Sequence, residues 1–244
     1  MKIKANNANS PIWKDVYSHS KLPQQLEPLN EIATNLWWVW NHEGAKLFGK
    51  IDKQLWKSTE GNLNPIVQTI ILSASAVRML PHIALYLLHK KEIDADLLKV
   101  QDRKPTVLNL IKACTREKSF RNLFYYRMGE YRSVFISWLL PPERTMTIWC
   151  PHIGKGAHLE HSYATYLNAE SIGDDFYCLQ MVTLGNGKGG RPTIGNDVKI
   201  YTGATVFGGI HIGNHVTIGA GAVVFQDIPD GATVVGNPGR IIQK

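Results

Sequence analysis

The segments Ile194–His211, IGNDVKIYTGATVFGGIH, and Ile212–Pro229, IGNHVTIGAGAVVFQDIP, agree at ten of 18 positions at a fixed offset of 18. Within them an aliphatic residue recurs every six: Ile194, Ile200, Val206, Ile212, Ile218 and Val224. Small or branched residues recur four places later, at Val198, Ala204, Ile210, Val216, Ala222 and Ile228. A period of six matches neither an α-helix nor an isolated strand. It matches a parallel β-helix with three flat faces, one hexapeptide per face and 18 residues per coil. The aliphatic residue then points into a narrow prism, and the small residue leaves room for the corner.

The pattern runs back to Ile153 less regularly. Ile153 to Ile172 is 19 residues, which predicts one extra residue near Ser162–Tyr166. Ile172 to Ile194 is 22, and the four extra fall in Gly185–Pro192, GNGKGGRP, an exposed-loop composition. Upstream the character changes. Pro141-Pro142 ends a region with helical spacing, in which Val107, Leu110 and Ile111 form one apolar face. Phe120, Leu123, Phe124, Met128 and Tyr131 form another, with Arg121, Arg127 and Arg132 interleaved. Earlier still, five tryptophans lie in residues 1–64, and Gly61, Asn62, Asn64 and Pro65 read as a boundary. The chain therefore divides into a Trp-rich segment 1–65, a helical region 66–145 and a β-helix 146–244.

Charge follows that division. Residues 1–150 carry 21 Lys and Arg against 13 Asp and Glu, whereas residues 151–244 carry 6 against 7. The basic excess reads as a solvated helical face, with attraction to an anionic membrane surface as the competing reading. The apolar run Ile66–Leu88 is interrupted by Arg78, Pro81 and His82, so it reads as buried helix rather than a membrane span. Cys114, Cys150 and Cys178 have no metal-type spacing, and the opening MKIKANNANSPIWKD has no apolar leader. Both point to a reducing cytoplasm, and nothing points to nucleic acid.

The hexads resemble those of the hexapeptide-repeat acyltransferase superfamily, whose fold is a left-handed parallel β-helix. Leu159-Glu160-His161 resembles the catalytic-histidine segment of serine O-acetyltransferases, and Val182-Thr183-Leu184-Gly185 resembles the stretch before their glycine-rich loop. Val235–Ile242, VGNPGRII, resembles their C-terminal ending. The resemblance implies helices followed by a β-helix, acetyl-CoA as co-substrate, no metal, and a homotrimer or dimer of trimers with sites between subunits. It implies His161 as general base for direct transfer to an acceptor hydroxyl, because a neutral imidazole removes a proton near neutral pH. Gly203, Ala204, Gly221, Ala222 and Arg240 are the expected cofactor contacts, and Glu160, Lys188 and Arg191 the expected substrate contacts.

Three positions depart from serine acetyltransferases. Their orienting aspartate, counted without gaps, falls on Met146; the residue after the loop arginine is Pro192; and Glu160 stands for an aspartate. A small hydroxyl acceptor and a sugar or capsular-polysaccharide acceptor therefore both stay open. A metal-dependent hydratase is disfavoured, since His158, His161, His211 and His215 lack its H-x-x-x-x-H spacing. Ile32–Asn41, IATNLWWVWN, with Leu47–Asp52 and Leu55-Trp56, resembles the opening segment of bacterial α-glucan phosphorylases. The catalytic body of such an enzyme has no room in this chain, so the segment implies at most carbohydrate contact. A non-catalytic carbohydrate-binding or assembly protein is the alternative of a different class.

Overall fold

Short outward-inward pairs of residues build three parallel faces, as the six-residue period predicts. The computed structural model describes residues 78–101 and 104–242, and these all belong to one compact unit. The Trp-rich segment, with its phosphorylase-like motif, lies outside the described residues. Face A stacks β1 (Thr147–Ile148), β3 (Tyr166–Leu167), β6 (Thr183–Gly185), β9 (Thr205–Phe207) and β12 (Val223–Val224). Face B stacks β4 (Ser171–Ile172), β7 (Thr193–Ile194) and β10 (His211–Ile212), extended by the bridges Ile153↔Ile172 and Ile212↔Ile228. Face C stacks β2 (His158–Leu159), β5 (Tyr177–Cys178), β8 (Lys199–Ile200), β11 (Thr217–Ile218) and β13 (Thr233–Val235). The last strand, β14 (Arg240–Ile242), turns back antiparallel on β13 and closes face C.

The second residue of each two-residue pair on faces B and C is the inward knob. Ile194, Ile200, Val206, Ile212, Ile218 and Val224 are all buried, as are Val198, Ala204, Val216, Ala222 and Ile228. Ile210 is half-buried and packs on the same core. Glycine after the knob on face B lets successive coils touch. A Cβ on Gly195 would lie 2.6 Å from the Gly213 carbonyl oxygen, inside any real contact.

The irregularities refine the sequence expectation. Leu159 to Leu167 takes eight residues, where Cys178 to Leu184 takes six and Leu167 to Ile172 takes five. Two residues are thus inserted at the corner after β2 and one is removed on the next side, in place of a single insertion. The four extra residues of the second coil do lie in the 185–192 loop, where Gly187 and Gly190 pair across a tight turn.

Among the described residues, five helical segments precede the prism: α1 (78–88), α2 (Lys90–Gln101), α3 (Val107–Arg116), α4 (Lys118–Met128) and α5 (Glu130–Ser137). None of the helices among the described residues is long and apolar enough to cross a membrane. Leu110, Ile111, Phe120, Leu123, Phe124 and Met128 are buried as predicted; Val107, the first residue of α3, is exposed, and Tyr131 is 64% exposed. At Tyr131 the cause is Gly129, whose φ of +79° ends α4 and breaks the helical register before α5 begins. The interleaved arginines are not a uniformly solvated face either, because Arg121 is buried and Arg127 nearly so. Arg127 instead joins helices to prism. It pairs with buried Asp96 of α2 at 2.9 Å and donates to the Ile153 and Gly154 carbonyls, while Asp96 also accepts from the Ala157 N–H at 2.9 Å.

Candidate active site

His161 stands at the inserted corner between faces C and A, immediately after β2. Its φ is +49° and its side chain is 69% exposed, so the ring projects from the edge of the prism. The helices fix the residue behind it. Ser162 is buried; its N–H donates to Ser119 Oγ of α4 at 3.0 Å, and its hydroxyl faces Met146 Sδ at 2.9 Å. A corner that would otherwise be a floppy insertion is thereby tied to the N-terminal turn of a helix.

Glu160 and Tyr177 flank the histidine. Glu160 Oε1 lies 3.7 Å from His161 Nε2, and its Oε2 accepts a hydrogen bond of 2.5 Å from the Tyr177 hydroxyl. Burial, and then this bond to an anion, push the Tyr177 hydroxyl above the usual phenol range. The Tyr177 ring meets His158 edge-on at 5.4 Å and Tyr201 at 6.2 Å. Burial holds His158 below the usual histidine range, with the Glu160 and Glu117 carboxylates pulling the other way. His158, Tyr177 and Tyr201 also line a groove of about 360 Å³ between face C and Lys99 of α2, with Asp197 and Lys199 on its walls.

The expected cofactor residues share His161's edge. Below it run Met181, Gly203 and Gly221, joined by hydrogen bonds from Met181 to Tyr163, from Gly203 to Gln180 and from Gly221 to Thr202. Gly203 and Gly221 have φ of +71° and +66°, and nothing occupies the space where a Cβ would project. The Ala204 and Ala222 side chains are buried inside the prism and leave only backbone to the edge. Arg240 pairs with Val235 at the far end of face C. Five strand spacings separate it from β2, or about 24 Å.

Lys188 and Arg191 lie elsewhere. Their loop caps the corner between faces A and B, where Arg191 pairs with Glu170 at 2.5 Å and reaches the Trp149 carbonyl at 3.4 Å. One copy of the chain does not bring them to His161. His215 Nδ1 pairs with Asp197 at 3.0 Å on a third corner. Among the described residues no three His, Cys, Asp or Glu side chains converge as a metal site. Sequence spacing missed Tyr177, Ser119 and the contact role of Met146. Tyr177 was discoverable, because the 19-residue shift of that coil sets it directly opposite His158.

Two families match the chain. One, described as Bacterial transferase hexapeptide (six repeats), matches residues 191–226; the other, described as Protein of unknown function (DUF3417), matches residues 22–127. A serine acetyltransferase of Synechococcus elongatus is 36% identical over 169 residues, covering 63% of this chain and 69% of the relative. A maltodextrin phosphorylase of Thermococcus litoralis is 51% identical over 37 residues, 15% of this chain, which spans only 4% of that enzyme. Among solved structures, a serine acetyltransferase of Neisseria gonorrhoeae superposes with a TM-score of 0.51 at 28% identity. The match covers 64% of this chain and 66% of that one. The solenoid is of the left-handed type.

Proposed function

The chain belongs to the serine acetyltransferase family, and from that premise we propose that it moves the acetyl group of acetyl-CoA directly to the hydroxyl of serine or a small serine-like acceptor. One observation carries the reading. His161 heads a continuous edge whose unobstructed glycines, Gly203 and Gly221, lead to Arg240. A pantetheine arm laid along that edge meets backbone rather than side chains. Arg240 then offers a cation to the phosphates at the far end.

In this mechanism His161 accepts the acceptor's hydroxyl proton as the oxygen attacks the thioester carbonyl. The tetrahedral intermediate collapses, the C–S bond breaks, and the imidazolium returns the proton to the departing thiolate. No acyl-enzyme forms. The family-resembling loop supplies Lys188 and Arg191 from a second copy, since they sit on a different edge from His161. In this reading the site lies between subunits of a homotrimer or dimer of trimers. We keep the division into 1–65, 66–145 and 146–244, with the last carrying the chemistry and the cytoplasm as its compartment.

Pro192 follows the loop arginine and is buried, which favours a second reading in which the acceptor is a sugar hydroxyl. The test is thiol release from acetyl-CoA with serine, homoserine and a panel of sugars. Acceptor-dependent release identifies the acceptor. No release with any of them, together with saturable glycan binding, replaces the enzyme by a carbohydrate-binding protein.

A further inference from the structure

We propose that Glu160, anchored by Tyr177, is the group that orients His161, and that Tyr177 is accordingly a positioning residue for the acetyl transfer. The proposal rests on His161 being the base, and deepens that reading. An imidazole base on an exposed corner needs one ring nitrogen held, so that the other presents its lone pair in a fixed direction. At 3.7 Å, the Glu160 carboxylate occupies the Nε2 side of the ring. At that separation the carboxylate faces the Nε2 edge without bonding it; closing to hydrogen-bond distance in the loaded site would hold the proton on Nε2 and leave Nδ1 to take the acceptor's proton. As the imidazolium forms, the carboxylate beside it stabilises the new charge.

A glutamate at a strand end has three rotatable bonds, and alone it would hold nothing in place. Tyr177 removes that freedom. Its hydroxyl donates to Oε2 at 2.5 Å, leaving Oε1 for the histidine. Its ring is in turn packed between His158 and Tyr201. The chain thus runs from the rigid face of the next coil, through a phenol and a carboxylate, to the exposed base. The charged and titratable groups around this relay are His158 on β2, Tyr177 and Tyr201 on adjoining coils, and Glu117 at the α3–α4 junction. Glu160 then serves the base rather than contacting the acceptor.

Two conservative variants, Tyr177→Phe and Glu160→Gln, test this by steady-state kinetics and by the ring-nitrogen NMR signals of His161, which report its tautomer. The missing signal in His161→Ala identifies those resonances. Tyr177→Phe and Glu160→Gln are each expected to lower kcat about tenfold with both KM values within about twofold. Both variants are also expected to move the ring-nitrogen signals from one tautomer towards a mixture of the two. The NMR readout needs no turnover, so it stands even if no acceptor is found. A raised acceptor KM in Glu160→Gln with unchanged kcat and unmoved ring-nitrogen signals would overturn the relay and make Glu160 an acceptor contact. Wild-type kcat in Tyr177→Phe would leave the tyrosine a packing residue only.

Discussion

A single histidine far from the site shows how burial writes pH dependence into the helices. His82 is fully buried; its Nε2–H donates to the Tyr125 hydroxyl at 2.9 Å, which donates onward to the Leu140 carbonyl at 2.7 Å. Burial, with Arg78 and Arg121 nearby, lowers its pKa to about 4. An unfolded histidine titrates near about 6.5, so the unfolded chain binds the proton more tightly. Stability is therefore full above that value and falls as pH drops towards about 4, by on the order of 3 kcal/mol from this residue. Denaturant unfolding across that window is expected to show the slope, and His82→Gln to flatten it. An unchanged slope in the variant assigns the acid sensitivity elsewhere. Sequence spacing read His82 only as an interruption of an apolar run, since its partners lie 43 residues away. The resemblance of Leu159-Glu160-His161 points to His161 as the proposed base, but nothing in it singles out Tyr177 or Ser119, whose contacts cross a coil or a domain boundary.

At the level of elements, α2 and α4 grip the first coil through one ion pair. Asp96 has a side chain 1% exposed and satisfies Arg127 and the Ala157 N–H together. Removing one partner of such a pair strands a buried charge, at a cost of about 3–5 kcal/mol. Asp96→Ala is therefore expected to lower the urea midpoint sharply. It should also loosen the Ser119–Ser162 contact behind His161 and reduce turnover. A loss below about 1 kcal/mol would mean the helices and prism are held by apolar packing instead. The hexad period made the faces legible because each strand repeats one inward knob. The helix breaks were less so. The apolar pattern from Phe120 to Tyr131 runs straight through Gly129, and the helix break there leaves Tyr131 exposed.

For the molecule as a whole, the proposed site residues fall on two edges of the prism. His161 and the open glycines share one corner of the prism, while the Lys188–Arg191 loop caps another. Aromatic residues remain on the flat faces between them: Tyr201 at 37%, Phe207 at 36% and Phe225 at 52% exposure, with Phe207 and Phe225 rings 5.9 Å apart. The helices among the described residues leave them exposed, and a second copy is their proposed partner. Light scattering is expected to give three or six subunits, and a catalytically active monomer at micromolar concentration would contradict a shared site. The most direct test concerns the base itself. Acetyl transfer by His161→Ala, with an unchanged circular dichroism spectrum, is expected to fall by about 10²–10⁴-fold; near-wild-type kcat in that variant would contradict the account and place the chemistry on another residue.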